Sequence, residues 1–222
     1  MDNIKEKLRQ GSEAMSIKLT SEQESKLLTY ITEFEKWNKA YNLSAVRELE
    51  QMIGRHLLDS LSVVPWLREK IGLQEKLGQN PEWQSIIDVG TGGGLPGIPL
   101  SIMFPQINWT LLDSNGKKMR FLFHIKTLLK LDNVSVENRR VETFQPEKKF
   151  NAVISRAFAS LQDMTEGCSH LLKPDGIFLA MKGLFPQDEM EPIKNKIDLI
   201  ETIKLKVAAT EGERHLLVLQ LK

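Results

Sequence analysis

The stretch SIIDVGTGGGLPG, Ser85 to Gly97, decides the fold. Ile86, Ile87 and Val89 form a short apolar run rich in β-branched residues, the composition of a strand buried on both faces of a parallel sheet. Asp88 interrupts that run with an acid. Gly90, Gly92, Gly93, Gly94 and Gly97 follow almost without a break, and such a cluster lets a backbone turn tightly and lie close to a ligand. Pro96 stands where a following helix would take its first turn. That helix would aim its free N–H groups and positive dipole end over the glycines. The segment reads as a small-molecule binding loop between the first strand and helix of an α/β unit.

Working outward, the pattern alternates. Strands are expected near 85–89, 108–112, 133–137, 150–154 and 175–181, with helices near 97–104, 116–130 and 161–172 between them. Short apolar strands interleaved with amphipathic helices imply a parallel sheet with right-handed crossovers. The tail departs from this: a helix near 188–197 leads to a strand at Leu199–Val207, a turn around Glu211 and Gly212, and a strand at Arg214–Leu221. Two strands joined by a short turn make an antiparallel hairpin, so the sheet is mixed at one end.

Before the sheet, residues 1–19 are polar and read as frayed or loosely docked. A helix is expected from Thr20 or Ser21, where Ser21 and Glu24 have capping-box spacing. Leu27, Ile31, Phe34, Trp37 and Tyr41 recur along it as one apolar face. A second helix is expected from Leu49 through Leu61, burying Met52, Ile53, Leu57 and Leu61. Gly72 to Glu82 reads as a linker. The division that follows is a helical extension over 1–80 packed on a domain over 81–222.

At 222 residues, 27% charged and 41% apolar, the chain has the composition of a soluble globular protein able to bury a real core. No apolar run approaches the roughly 18–20 residues of a membrane helix. MDNIKEKLRQ has no apolar export segment, so the cytoplasm is the expected location. One cysteine, Cys168, excludes an internal disulfide framework and cannot build a metal site alone; its place in an expected helix makes it a core residue. His56, His124, His170 and His215 show no ligand spacing, and no metal is expected.

Net charge is +1, which by itself does not announce a nucleic-acid binder. Its distribution says more. Ser114 to Leu131 holds Lys117, Lys118, Arg120, Lys126 and Lys130 and no acid, with Arg139, Arg140, Lys148, Lys149 and Arg156 soon after. That run reads either as the solvated face of a helix or as a basic surface beside the ligand loop.

The loop itself favours one ligand class. Gly92-x-Gly94-x-x-Gly97 matches the dinucleotide string GxGxxG, a weak signal. The closer spacing is Asp88-x-Gly90-x-Gly92-x-Gly94, and an acid in that strand can receive an ammonium group, as on the amino-acid end of S-adenosylmethionine. No Lys-Ser or Lys-Thr ends the loop, which excludes a P-loop. Asp113 closes the second strand, where a carboxylate can accept both ribose hydroxyls, or can cap the helix beginning near Gly116. Ser155-Arg156-Ala157-Phe158 follows the fourth strand, over the place where ligands gather in open α/β sheets. It contains neither the Asn/Asp-Pro-Pro-aromatic sequence of amine-directed DNA methyltransferases nor a Pro-Cys nucleophile.

The blocks Trp37-Asn38-Lys39 with Asn42-Leu43, Arg55-His56 with Asp59-Ser60-Leu61, Asp88 to Pro99, Leu111-Leu112-Asp113-Ser114, Arg140-Val141-Glu142, Ser155 to Phe158, Lys182-Gly183 and Glu213-Arg214-His215 occur in an order that resembles one family. It is the bacterial small-subunit rRNA (guanine-N7) methyltransferases, the glucose-inhibited division protein B family, and the likeness runs from about residue 20 to the C-terminus. The resemblance implies a class I, Rossmann-like methyltransferase with a mostly parallel seven-stranded sheet. It also implies S-adenosyl-L-methionine as donor, S-adenosyl-L-homocysteine as product, and guanine 527 in the 530 loop of 16S rRNA as acceptor, on the 30S subunit or its precursor. By the matching motifs, Gly90, Leu95, Val141, Glu142 and Arg156 would contact the donor; Asp88, Gly92, Gly94 and Asp113 join them on the argument above.

Guanine N7 carries a lone pair and no proton, so its methylation needs alignment rather than a general base. Arg139, Arg156, Lys182 and Arg214 are the candidates to orient the acceptor, since the Arg fork suits both phosphates and bases. Lys117, Lys118 and Arg120 would extend the RNA surface. Arg55 and His56 could reach over the pocket mouth, although Arg55 could equally pair with Asp59 four residues on. Trp37 and Tyr41 could stack bases, although their helical spacing is that of core residues. A donor-sensing module without catalysis, and a methyltransferase of another RNA or a small molecule, are the competing readings. Nothing in the sequence demands more than a monomer.

Overall fold

The computed structural model describes residues 2–76, 83–156, 158–208 and 212–222. Five helical segments precede the sheet: α1 (Asp2–Ala14), α2 (Ser21–Tyr41), α3 (Leu49–Met52), α4 (Asp59–Leu61) and α5 (Val64–Lys76), with a π-helical turn over Ile53–Leu58 joining α3 to α4. The α/β part runs β1 (Ser85–Val89), α6 (Gly97–Met103), β2 (Asn108–Asp113), α7 (Gly116–Leu129), β3 (Val134–Asn138), β4 (Phe150–Ser155), α8 (Leu161–Cys168), β5 (Leu172–Lys182), α9 (Gln187–Met190), β6 (Ile197–Lys204) and β7 (His215–Leu221).

The seven strands lie in the order β3-β2-β1-β4-β5-β7-β6. β1 pairs in parallel with β2 and β4, while β7 lies antiparallel between β5 and β6. The expected α/β architecture with its terminal hairpin is therefore present. Strand order reverses between β1 and β4, which opens a crevice at their carboxyl ends. The pleat sends alternate residues to opposite cores. Ile86, Trp109, Leu111, Ile154 and Val218 join the helices of the N-terminal part, α6 and α7, whereas Ile87, Leu112, Val153 and Phe178 join α8.

The N-terminal part differs from the sequence expectation in four places. Residues 2–14 are helical, and Leu8, Met15 and Ile17 are buried. A largely polar segment is held by these few apolar contacts and by Lys5, whose ammonium lies 3.0 Å from Glu24 on α2. The capping box of α2 is Thr20 with Gln23, one residue earlier than Ser21 with Glu24; the sequence carries both spacings, and the helix takes the first. The second helix is broken in phase by the π turn. The expected linker yields instead to α5, which extends to Lys76; residues 77–82 lie outside the described ones.

In the tail, the helix expected over 188–197 is reduced to α9 and a 3-10 turn at Glu191–Ile193. Pro192 supplies no N–H for a longer helix. The expected turn at Glu211 falls partly outside the described residues, and Gly212 has a positive φ of 90°. Among the described residues no helix is long and apolar enough to cross a membrane.

Candidate donor and acceptor clefts

The glycine loop is braced from below by Asp88. Its Oδ2 accepts the Thr91 hydroxyl at 2.7 Å and the Gly97 N–H at 2.9 Å, so one carboxylate ties both ends of the loop. Asp88 is completely buried, and its Oδ1 has no partner. Loss of solvation pushes the carboxyl up to about 6, against the bonds from Thr91 and Gly97. Asp88, expected to receive an ammonium group, lies beneath the loop and lines neither hollow; the bonds it makes are those of a strut for the loop. Asp113 braces the loop from the side. Its Oδ2 accepts the Gly92 N–H at 2.9 Å and its Oδ1 the Asn115 N–H at 2.8 Å. Asn115, not Asp113, caps α7.

The glycines divide by what surrounds them. Gly90 and Gly92 have positive φ values of 72° and 61°, and a Cβ on Gly92 would meet nothing closer than 3.8 Å. These two form the open lip. Gly93, Gly94 and Gly97 are needed for packing within the protein: a Cβ on Gly93 would lie 2.3 Å from the Phe34 ring, and one on Gly97 2.3 Å from Leu111. Gly94 faces Ile98 and Leu122 and, like Asp88, lines neither hollow. Tyr30 adds a bond from its hydroxyl to the Gly93 carbonyl at 2.8 Å. The loop is thus clamped between the sheet and α2.

Two hollows meet at Gly90. The smaller, about 260 Å³, is lined by Leu112, Asp113, Arg139, Val141, Glu142 and Phe158 among others. The larger, about 530 Å³, lies between the loop and the N-terminal helices, and takes in Gly92, Leu95, Arg55, His56, Arg156, Lys182 and Arg214. The chain therefore brings together most of the residues expected from sequence. On α7, Lys117 and Arg120 stand apart from the two hollows, whereas the Lys118 ammonium lies beside the loop, 3.8 Å from where a Cβ on Gly92 would be. Lys117 and Arg120 flank the exposed Phe123 in a separate groove, and Lys118 reaches toward Asp113 at 3.9 Å. Ala157 lies outside the described residues.

The cations of the larger hollow are held in different ways. Lys182 is paired with Glu189 at 2.8 Å. Arg156 and Arg214 both bind Asp59, at 2.6 Å and 3.1 Å. Arg55 makes no ion pair with Asp59 among the described residues; the Asp59 carboxylate is engaged by Arg156 and Arg214 instead. His56 is buried, its ring tilted at 60° to that of Phe34 with the centroids 5.3 Å apart, and its Nε2 lies 2.8 Å from the Ser44 hydroxyl. Burial, and then the Arg156 charge, lower its pKa to about 4, so its imidazole is neutral at pH 7. His124, His170 and His215 are each engaged elsewhere, with Glu33, the Phe144 carbonyl and the Gly183 carbonyl. Cys168 is buried, its thiol pushed up to about 12.

Sequence reasoning missed Asp59 as a site residue, together with Ser44, Phe34 and Leu43, which wall the larger hollow. The available signal was the Asp59-Ser60-Leu61 block itself. Trp37 is half-buried and packs against the core beside Phe121, stacked on its other sides with Tyr41 and His124 at 5.1 and 5.3 Å, and Tyr41 is exposed.

Glycine loop, strand-end carboxylate and reversed strand order together define a class I, Rossmann-like methyltransferase. Solved structures share the fold: a glycopeptide N-methyltransferase, MtfA, complexed with S-adenosyl-L-methionine (TM-score 0.51, 12% identity, covering 69% of this chain and 94% of that one), and YjhP from E. coli (TM-score 0.51, 11% identity, 74% and 99%). The family profile described as GidB, rRNA small subunit methyltransferase G, matches residues 23–217. Proteins named ribosomal RNA small subunit methyltransferase G are similar over nearly the whole chain. That of Cellvibrio japonicus is 64% identical over 218 residues (98% of this chain, 95% of the relative), and that of Ectopseudomonas mendocina 50% over 215 residues (97% and 95%). The chain belongs to the rRNA small subunit methyltransferase G family.

Proposed function

We propose that this protein transfers a methyl group from S-adenosyl-L-methionine to N7 of a guanine in the 530 loop of 16S rRNA, guanine 527, on the small ribosomal subunit or its precursor. The observation that carries the acceptor chemistry is the charge pattern of the larger hollow. Four cationic side chains, Arg55, Arg156, Lys182 and Arg214, wall it, and among the described residues that line it the one carboxylate, Asp59, is held between two guanidiniums. Such a wall favours a polyanion and offers no free carboxylate to take a proton from an amine or hydroxyl. N7 requires none.

The smaller hollow suits the nucleoside end of the donor, with Asp113 at the ribose position and Val141 and Glu142 beside the adenine position. Gly90, Gly92 and Leu95 would hold the methionine end. The open space beside Gly92 fits a ligand lying against the backbone there. When bound, the donor supplies an electrophilic methyl on its sulfonium. The protein's part is to hold the loop rigid through Asp88 and Asp113, and to orient the base through Arg156 and Arg214. Arg139, 61% exposed in its side chain at the smaller hollow, and Lys118 beside the loop would receive phosphates close in, and Lys117 and Arg120 farther out on α7.

The test is methyl transfer from labelled S-adenosylmethionine to 16S rRNA or 30S particles from a strain lacking the enzyme, the modified base being mapped by reductive cleavage. Label at guanine 527 is the expected result. Label only on small molecules, at another base, or nowhere would overturn the reading.

A further inference from the structure

Asp59 is 6% exposed, yet its carboxylate holds two guanidiniums from distant parts of the sheet. Oδ2 accepts from Nη1 of Arg156, which follows β4, at 2.6 Å; Oδ1 accepts from Nε of Arg214, which precedes β7, at 3.1 Å. The remaining bonds of the pair also hold its shape. Arg156 Nη1 lies 3.5 Å from the Arg55 carbonyl, and Arg214 Nη1 donates to the Glu213 carbonyl at 2.8 Å. Both arginines remain partly open, with side chains 23% and 32% exposed, and both line the larger hollow. One negative charge shared by two positive ones leaves the cluster cationic. A guanidinium fastened by one edge keeps its plane and presents its other N–H groups in a fixed direction.

The backbone explains how an acid from the helical part reaches this point. The Asp59 N–H bonds to the Gly54 carbonyl five residues back, as well as to that of His56. A regular α-helix would stack Asp59 over Arg55; the additional residue in the turn swings it toward the sheet.

We propose that Asp59 is a positioning residue for methyl transfer, aiming Arg156 and Arg214 at the acceptor base. This rests on the reading of the larger hollow as the acceptor site. It distinguishes Asp59 from a residue that only joins the helical part to the sheet, because the groups it fastens are the ones that face the hollow.

The test is Asp59→Ala in the full-length chain, read in three ways: hydrogen exchange of the Arg214 Nε–H by nitrogen-15 NMR, the kcat and KM for 30S particles, and affinity for a fluorescent 530-loop RNA hairpin. The expected result is a freely exchanging Arg214 Nε–H and a kcat lower by about tenfold to hundredfold. Affinity for the hairpin should be unchanged or tighter, since a negative charge has left a cationic surface. Asp59→Glu, which keeps the carboxylate, is expected to retain part of kcat; where Asp59→Ala does not fold, Asp59→Asn, which removes the charge but keeps one acceptor oxygen, carries the kcat and RNA-affinity readings. A kcat within about twofold of wild type, an Arg214 Nε–H that stays protected, or a parallel loss of kcat, RNA affinity and melting temperature would each overturn the proposal, the last by showing a merely structural role. A wild-type chain that methylates no RNA would instead overturn the functional reading on which it rests.

Discussion

Asp88 and His56 are buried ionisable groups on either side of the loop, and their effects on stability run in opposite directions with pH. Asp88 ionises near 6 in the folded chain against 3.8 ordinarily, so between these values the folded state holds a proton that the unfolded state has lost. Its contribution to stability is present below about 4 and is lost as pH rises through about 6. His56 has the reverse sign: its pKa of about 4 against 6.5 means that the unfolded state holds the extra proton. Its contribution is present above about 6.5 and is lost as pH falls through about 4. The two slopes oppose each other in the wild type. Asp88→Asn is expected to leave stability rising with pH over this window, and His56→Gln to leave it falling, as measured by urea unfolding at several pH values. Parallel curves for both variants would contradict the assignment. Asp88→Ala should in addition weaken S-adenosylmethionine binding in a calorimetric titration, by loosening the loop it ties; unchanged affinity would remove that role.

The contact between α2 and the glycine loop is where two elements impose a residue on each other. Gly93→Ala would drive a methyl into the Phe34 ring. The expected cost is about 1–3 kcal/mol, seen as a fall in Tm of roughly 2–10 °C, with part of it recovered by the second substitution Phe34→Leu. Independent, additive losses would show that the clash is relieved elsewhere. This contact also marks the border of what was legible. The β1 strand, its loop and the alternation beyond were readable because buried parallel strands are written as continuous apolar runs. Which glycine faces a ligand and which faces Phe34 or Leu111 was not, since that depends on atoms far along the chain. The π turn was equally hidden: Met52, Ile53, Leu57 and Leu61 satisfy an α-helical stripe as well as the observed one. Asp59 escaped for the same reason, its partners lying 97 and 155 residues away. The helix α1 was misread because its low apolar content hides a stripe of helical spacing, Ile4, Leu8, Gly11 and Met15, that the sequence does carry.

Over the whole molecule, the N-terminal helices and one face of the sheet share a single core, from Leu8 to Val218. Removal of residues 1–19 is therefore expected to lower Tm by several degrees for each kcal/mol lost. One cooperative transition should remain, followed both by tryptophan fluorescence and by circular dichroism; two separate transitions would mean that the helical part folds alone. The cationic hollow and the basic face of α7 predict that affinity for 30S particles falls steeply with salt. Affinity for the donor should change little, and a flat RNA response would argue against phosphate contacts. The position of β7 has a further consequence, one of timing. β6 pairs with no strand but β7, yet β7 is synthesised after it and must enter between β5 and β6. Among the described residues β6 therefore has no strand to pair with until residues 215–221 are in place. Arg214 arrives in the same instant. The wall of the larger hollow is consequently complete only when the sheet itself is.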